Sequence, residues 1–319
     1  MMSMASTLTE LGFYLATGVA AGVAMLGPLA STTVVAKWFE SKRGRAVGIA
    51  AMGPPAGGFL MTPLAGYMIE SMGWRTTLLW FAGIVLLIIP FIWTIIRNKP
   101  DDVGQYPDGL QLDISTEALP PETGSWSTRM IMTSTNFWIL ALAFGIVFGV
   151  GGGWNANFPM FAGDLGYGIQ EASYFLALGA FMGIPGTLLF GTLADRLDNR
   201  AITWVIIFMQ GCCFAALWTG PSFTVLLFIM IFFGMSGGGL LPVYASVIGR
   251  VFGPMNFGQV MGLAGLIMLP FGALSPPIAG YLRDIGGNYN LTLAIFCGSF
   301  CVAAVILTAL RVRHPMSDS

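Results

Sequence analysis

Long apolar stretches alternate with short polar breaks along most of this chain. A helix needs about 20 apolar residues to cross a bilayer, and runs of that order lie at 11–36, 46–69, 75–96, 137–160, 170–192, 202–219, 223–248, 258–282 and 290–310. The segment 97–135 departs from the pattern, being polar and rich in Pro, Asp and Gly, and reads as a linker between two bundles. The expected fold is all-α, a polytopic membrane bundle of nine helices. Its expected divisions are residues 1–96 with three spans, the linker 97–135, and 136–319 with six spans and a tail.

One passage occurs twice. Pro63-Leu64-Ala65-Gly66-Tyr67 returns as Pro277-Ile278-Ala279-Gly280-Tyr281, an offset of 277 − 63 = 214. Gly48 and Gly262, Gly73 and Gly287, and Pro28 and Pro242 keep the same offset. Each copy lies in an apolar stretch, so two similar halves are implied. The segment from about Asn136 to Gly220 would have its partner before Met1, so three spans of the first half are expected to be missing.

Composition agrees with a bilayer as solvent. Hydrophobic residues make up 55% of the 319 and charged residues only 9%, against about 25% charged in soluble domains. Mean hydropathy is +0.77. A net charge of −1 argues against a nucleic-acid partner. Twelve of the 14 basic residues fall in loops that alternate to one side of the membrane, and only Arg75 and Arg283 fall on the other. By the positive-inside bias the linker and C-terminus are expected in the cytoplasm. The apolar Cys212, Cys213, Cys297 and Cys301 have no further ligand pair beside them, so neither a metal site nor a cofactor is expected.

Several motifs resemble the major facilitator superfamily of secondary transporters. Gly191-Thr-Leu-Ala-Asp195-Arg196-Leu-Asp198-Asn199-Arg200 is similar to the family's G-x-x-x-D-R-x-G-R-R loop, with Asp198 and Asn199 in place of the usual Gly-Arg pair. Lys37-Trp38-Phe39 followed by Arg43-Gly44-Arg45, Gly73-Trp74-Arg75, and Lys99-Pro100-Asp101-Asp102 resemble the monocarboxylate and oxalate–formate carriers within it. The resemblance implies a small organic solute, such as a monocarboxylate, moved by alternating access in a cell membrane. Carriers of this subgroup often hold an arginine where Thr187 stands here. No charged residue lies in the core of any span, which removes an obvious anion clamp.

The candidate residues follow. Trp154, Asn155 and Asn157 lie near one end of a span that lines the cavity by family analogy, and Tyr174, Thr187 and Tyr244 offer further polar handles. For Trp154 interfacial anchoring fits as well as cavity lining. Asp195, Arg196 and Arg250 form a candidate gate, with Asp195 expected to meet Arg250 or the helix start near Asn256. Pro54 and Pro55, and Pro276 and Pro277, sit inside expected spans as matched bending points or plain kinks. The glycine pairs Gly18/Gly22, Gly145/Gly149 and Gly179/Gly183 read as packing ridges.

Gly234-Met235-Ser236-Gly237-Gly238 satisfies a hydrolase pattern, but it sits in an apolar run and the single His314 is in the tail. Two rivals to a transporter remain: a truncated, non-transporting membrane remnant or accessory protein, and, last, an integral membrane enzyme, for which no convergent catalytic group is visible.

Overall fold

A computed structural model describes residues 4–19, 21–22, 34–35, 38, 49–97, 103–104, 126–253 and 256–310, apart from the side chains of Leu8, Ala16 and Asp195. Half of the first expected span, the Arg43-Gly44-Arg45 motif, most of the linker and the tail lie outside the described residues.

The helices in chain order are α1 (Leu8–Tyr14), followed by the wider-wound turn Leu15–Val19, α2 (Gly53–Ile95), α3 (Thr128–Thr133), α4 (Thr135–Asp164), α5 (Ile169–Arg196), α6 (Asn199–Leu217), α7 (Phe223–Phe252), α8 (Phe257–Gly286) and α9 (Asn290–Thr308). Among the described residues seven helices are long and apolar enough to cross a membrane. These seven helices take in eight of the nine expected spans, because α2 covers both 46–69 and 75–96, and half of the expected span 11–36 lies outside the described residues. An unbroken helix as long as α2 would measure about 65 Å, twice the hydrocarbon thickness. Gly73 divides it, with φ 78° and ψ 158°, a conformation open to glycine but not to a residue with a Cβ. The division falls where the pattern separates the spans 46–69 and 75–96. Its repeat partner Gly287 also has positive φ, 68°, and ends α8. The two glycines share the sign of φ but not ψ, which is 158° at Gly73 and 0° at Gly287.

The described residues form two compact units: those up to Pro121 other than Pro55–Thr62, and Pro55–Thr62 with those from Glu122 onward. In the first unit, Thr7 caps α1 by accepting from the Glu10 N–H at 3.2 Å. Hydrogen bonds from the Ser6 N–H and hydroxyl hold the Glu10 carboxyl below its ordinary pKa. Arg75 donates to Ala5 O at 3.1 Å and stacks 4.2 Å over Trp74. The apolar side chains of α2 are largely uncovered by protein, with Leu87 71% and Trp93 78% exposed. Apolar surface on that scale fits contact with lipid. A Cβ on Gly18 or Gly22 would meet nothing within 4 Å among the described residues, so no neighbouring helix packs closely on either there.

Pro54 and Pro55 depart from expectation. They occupy the first turn of α2, after a turn at Met52, and not the middle of a helix. A missing N–H costs nothing in a first turn, because that donor has no intrahelical partner anyway. Pro276 and Pro277 do lie inside a helix, α8.

The second unit holds α3 to α9 around one buried cluster running from Ile131 to Leu310. Its tightest seams join α5 to α7 and α4 to α8. Helices in lipid gain nothing from hiding apolar surface from one another, so close backbone approach must supply the attraction. Glycines provide that approach. A Cβ on Gly234 would collide with Gly179 O, one on Gly238 with Gly183 O, and one on Gly186 with the Met235 backbone. The hydrolase-like Gly234–Gly238 stretch is thus helical packing surface, and Ser236 is buried with its hydroxyl donating to Phe233 O at 3.0 Å.

Candidate functional site in the second helical unit

The expected cavity residues do not converge on one opening. Trp154 is 1% exposed, enclosed by Phe158, Phe161, Phe214 and Tyr289 at ring separations of 5.0–6.5 Å. It is a core residue, neither a cavity wall nor an interfacial anchor, because α4 turns it toward α6 and the start of α9. Asn155, one position on, is exposed, as is Tyr174 on α5.

Thr187 is buried between α5 and α7, its hydroxyl 2.8 Å from Gly183 O and 3.0 Å from Gly238 O. One proton serves both carbonyls, tying the two helices where glycine brings them together. Tyr244 packs its ring 4.7 Å from Phe144, and among the described residues its buried hydroxyl has no hydrogen-bond partner.

Asn157 carries the clearest polar geometry. Its Nδ2 donates to Gly153 O at 2.9 Å, one turn back on α4, and to Pro276 O at 3.0 Å on α8. Its Oδ1 accepts from the Tyr289 hydroxyl at 3.4 Å. A buried amide in lipid is tolerable only when satisfied in this way. Two turns further on, Asp164 receives Arg283 in a two-pronged pair, Nη2 to Oδ1 at 2.6 Å and Nε to Oδ2 at 3.2 Å. On the other side of Asn157, Gly145 and Gly149 lie against Phe271, and Gly153 against Ser275. These contacts rise together in number along α4 and α8, so the two helices run parallel. Sequence reading missed Tyr289, Asp164 and Arg283 as members of this group. The two charges lie on the same side of the membrane by the loop count, which was the available signal.

At the opposite end of the unit, Arg250 on α7 donates Nη2 to Ala194 O at 2.6 Å and Nη1 to Leu197 O at 3.4 Å. Those carbonyls belong to the last turn of α5 and the residue after it, where the helix dipole presents partial negative charge. Arg200 does the same for α9, donating to Thr308 O at 2.9 Å. Of the expected gate, Arg250 is therefore placed against the Asp195-Arg196 end of α5; the Asp195 side chain lies outside the described residues, and Arg196 is exposed. Asn256 accepts from the Trp126 N–H at 2.9 Å, so it joins the end of the linker to the α7–α8 turn.

The departures from the loop motif also have uses here. Asp198 caps α6 by accepting from the Arg200 N–H at 2.9 Å, and buried Asn199 donates to the Ser246 hydroxyl at 2.9 Å. Replacing Arg250 by Gln removes the cation from the α5 terminus, a change of about 1 kcal/mol. Hydrogen exchange of the amides around Leu197 is expected to quicken about fivefold, by that same energy. Unchanged exchange would show that the clasp contributes nothing.

A cavity of about 500 Å³ opens between α4, α8 and α9, walled by apolar side chains such as Val150, Phe271 and Phe296, with Ser275 and Ser299. None of the six residues expected to line a cavity contributes to it. Among the described residues no buried side chain is charged; the buried polar groups are amides and hydroxyls.

Comparison with known proteins supplies what this geometry leaves open. Monocarboxylate transporter 12 of Xenopus laevis is 26% identical over 327 residues, covering 97% of this chain and 70% of the relative. Monocarboxylate transporter 13 of Rattus norvegicus is 23% identical, covering 94% and 67%. Monocarboxylate transporter 11 of Homo sapiens is 27% identical, covering 93% and 64%. In fold, the chain is similar to a bacterial homologue of the human lysosomal transporter Spinster. The inward-facing unoccupied form gives a TM-score of 0.64 at 19% identity and the occupied form 0.62 at 18%. These alignments cover 97% of this chain and 77% and 76% of the solved chains. The similar proteins are transporters, which sets the enzyme reading aside. The family model for the Major Facilitator Superfamily matches residues 1–224, most of the chain, and with the all-helical membrane fold this places the protein in that family: it is an integral membrane protein of the Major Facilitator Superfamily.

Proposed function

We propose that this protein moves a small organic solute across a cell membrane by alternating access, and that short monocarboxylates or similar metabolites are the substrate class. The observation that carries the reading is the likeness, along nearly the whole chain, to several monocarboxylate transporters. The second unit adds a constraint of its own. With hydroxyls and amides in place of buried charges, it would hold a solute by hydrogen bonds, and a carboxylate would need its countercharge from elsewhere. The proposed orientation puts the linker, Arg250 and the C-terminus on the cytoplasmic side of the plasma or inner membrane, following the distribution of basic residues.

The test is uptake of radiolabelled short-chain monocarboxylates into vesicles from cells expressing the protein, in competition with the matching uncharged amides. Saturable uptake blocked by other monocarboxylates and untouched by the amides is expected. Uptake no faster than in control vesicles would overturn the transport proposal, and saturation by the amides alone would overturn the substrate class.

A further inference from the structure

Val150, Phe271 and Ser299 line the cavity between α4, α8 and α9, and each stands at the middle of its helix. Helices of this length cross the bilayer, so the cavity lies at the membrane midplane. Val150 and Phe296 form a buried floor, while Leu274, Ile278, Ile295 and Val302 on the rim are exposed. The exposed face of α9 stays apolar to either side, through Leu291 and Val305. An apolar rim at that depth borders hydrocarbon and not water.

The interior gives a polar ligand nothing to bind. The Ser299 hydroxyl donates to Ile295 O at 2.8 Å, and Ser275 turns its hydroxyl toward Gly153 in the α4 seam. Among the described residues no charged side chain lines the walls. A cavity of this kind stays dry and accepts hydrocarbon; about 150 Å³ holds benzene, so about 500 Å³ has room for about 20 carbon atoms. One wall is soft. Pro276 and Pro277 carry no N–H, so Gly272 O and Ala273 O lose the donors that a regular helix supplies. The loosened turn is the one that presents Phe271, Leu274 and Ser275 to the cavity. Empty, that wall forfeits its dispersion contacts on one side; filled, it is supported.

We propose that this cavity is a lipid site: it holds the terminal halves of the two acyl chains of one phospholipid, which brace the α8 turn Phe271–Ser275. Depth selects the occupant. Chains anchored at the headgroup level cross about 15 Å of hydrocarbon before they reach the midplane, so their terminal halves are what the cavity meets. Two such ends, of about ten carbons each, fill the volume. The headgroup lies far from the walls, so the site selects by chain and not by charge. The proposal stands apart from any solute that the protein carries.

Lipid retention tests this without transport. The full chain is purified in detergent, incubated with dioleoyl phosphatidylcholine, freed of loose lipid by gel filtration and weighed by native mass spectrometry. The parent should keep a single phospholipid per chain, and its unfolding temperature should rise by about 5 °C with the lipid in large excess. Gly298→Phe puts a ring into the cavity, since a Cβ there meets nothing within 4 Å, and should keep no lipid and show no rise. Val302→Phe, at the exposed rim, is a second filling variant and should lose the lipid in the same way. Gly265→Phe, whose Cβ also meets open space but which lies outside the cavity, should behave as the parent. Dihexanoyl phosphatidylcholine has the same headgroup with chains too short to reach the midplane, and should neither stay bound nor stabilise. A parent that keeps no phospholipid and gains no stability overturns the proposal. Retention that survives both filling variants puts the lipid elsewhere and overturns the site. Equal retention of the short-chain lipid overturns recognition by chain ends.

Discussion

Trp154→Ala is expected to lower the unfolding temperature by about 10 °C, the largest effect of any single side-chain truncation in the second unit. Trp154 is 1% exposed and touches four aromatic rings contributed by α4, α6 and Tyr289. Removing a buried indole costs about 3 kcal/mol or more, because the surrounding rings cannot collapse into the space. In lipid the loss is of dispersion contacts, which a void forfeits outright. At about 2–4 °C per kcal/mol for a unit of this size, the shift follows. Trp154→Phe fills part of the void and should recover more than half of it. The measurement is thermal unfolding in detergent, followed by a thiol dye reaching buried Cys213. If Trp154→Ala left the unfolding temperature alone and instead changed the apparent affinity for solute, the residue would belong to the transport path and not to the core.

Gly186→Leu should abolish folding of the second unit, and Gly186→Ala should weaken it. A Cβ at Gly186 falls on the Met235 backbone, with the α-carbon and carbonyl carbon both 2.8 Å away. Backbone cannot step aside as a flexible side chain can, so α5 and α7 must separate. Separation also breaks the Thr187 bond to Gly238 O and undoes the Gly179–Gly234 and Gly183–Gly238 contacts along the same seam. Overpacking of this kind costs about 1–3 kcal/mol for one methyl group, more than the roughly 1 kcal/mol that alanine gains over glycine in a helix. Gly265→Ala and Gly272→Ala on α8, which meet nothing within 4 Å, are the controls and should be neutral or slightly stabilising. Equal unfolding temperatures for Gly186→Ala and the controls would show that the seam does not hold the unit together.

The sequence marked out Trp154 and, beside Gly186 on the same helix, the pair Gly179 and Gly183; Gly186 itself was not singled out. The glycines at i, i+4 on α5 were legible as packing ridges because period and residue size alone define such a surface. Trp154 was legible only as amphipathic and near a span end. Cavity wall, interfacial anchor and core all satisfy that description, and the choice depends on which neighbours α4 turns it toward. Pro54 and Pro55 illustrate the same limit. Composition placed them in an apolar run, but whether that run is one helix or begins anew at Gly53 depends on the backbone around Met52.

Arg283 shows a limit of another kind. The loop count assigned it a side of the membrane, and Asp164 falls on the same side, yet 119 residues separate them. Only the parallel packing of α4 and α8 brings those two charges together.

The chain by itself determined its solvent, its helical class, the positions of its six later spans and the two glycines, Gly73 and Gly287, that take positive φ where apolar runs end. Those properties follow from hydrophobic length, periodicity and the absence of a Cβ, all local. The tertiary structure alone decided which polar side chains are bound and to what: Asn157 to Pro276, Thr187 to Gly238, Arg250 to the end of α5. Such partners are set by helix rotation and register between segments far apart in sequence, and a buried donor left without one is costly in a bilayer, so the pairing is a property of the packed bundle.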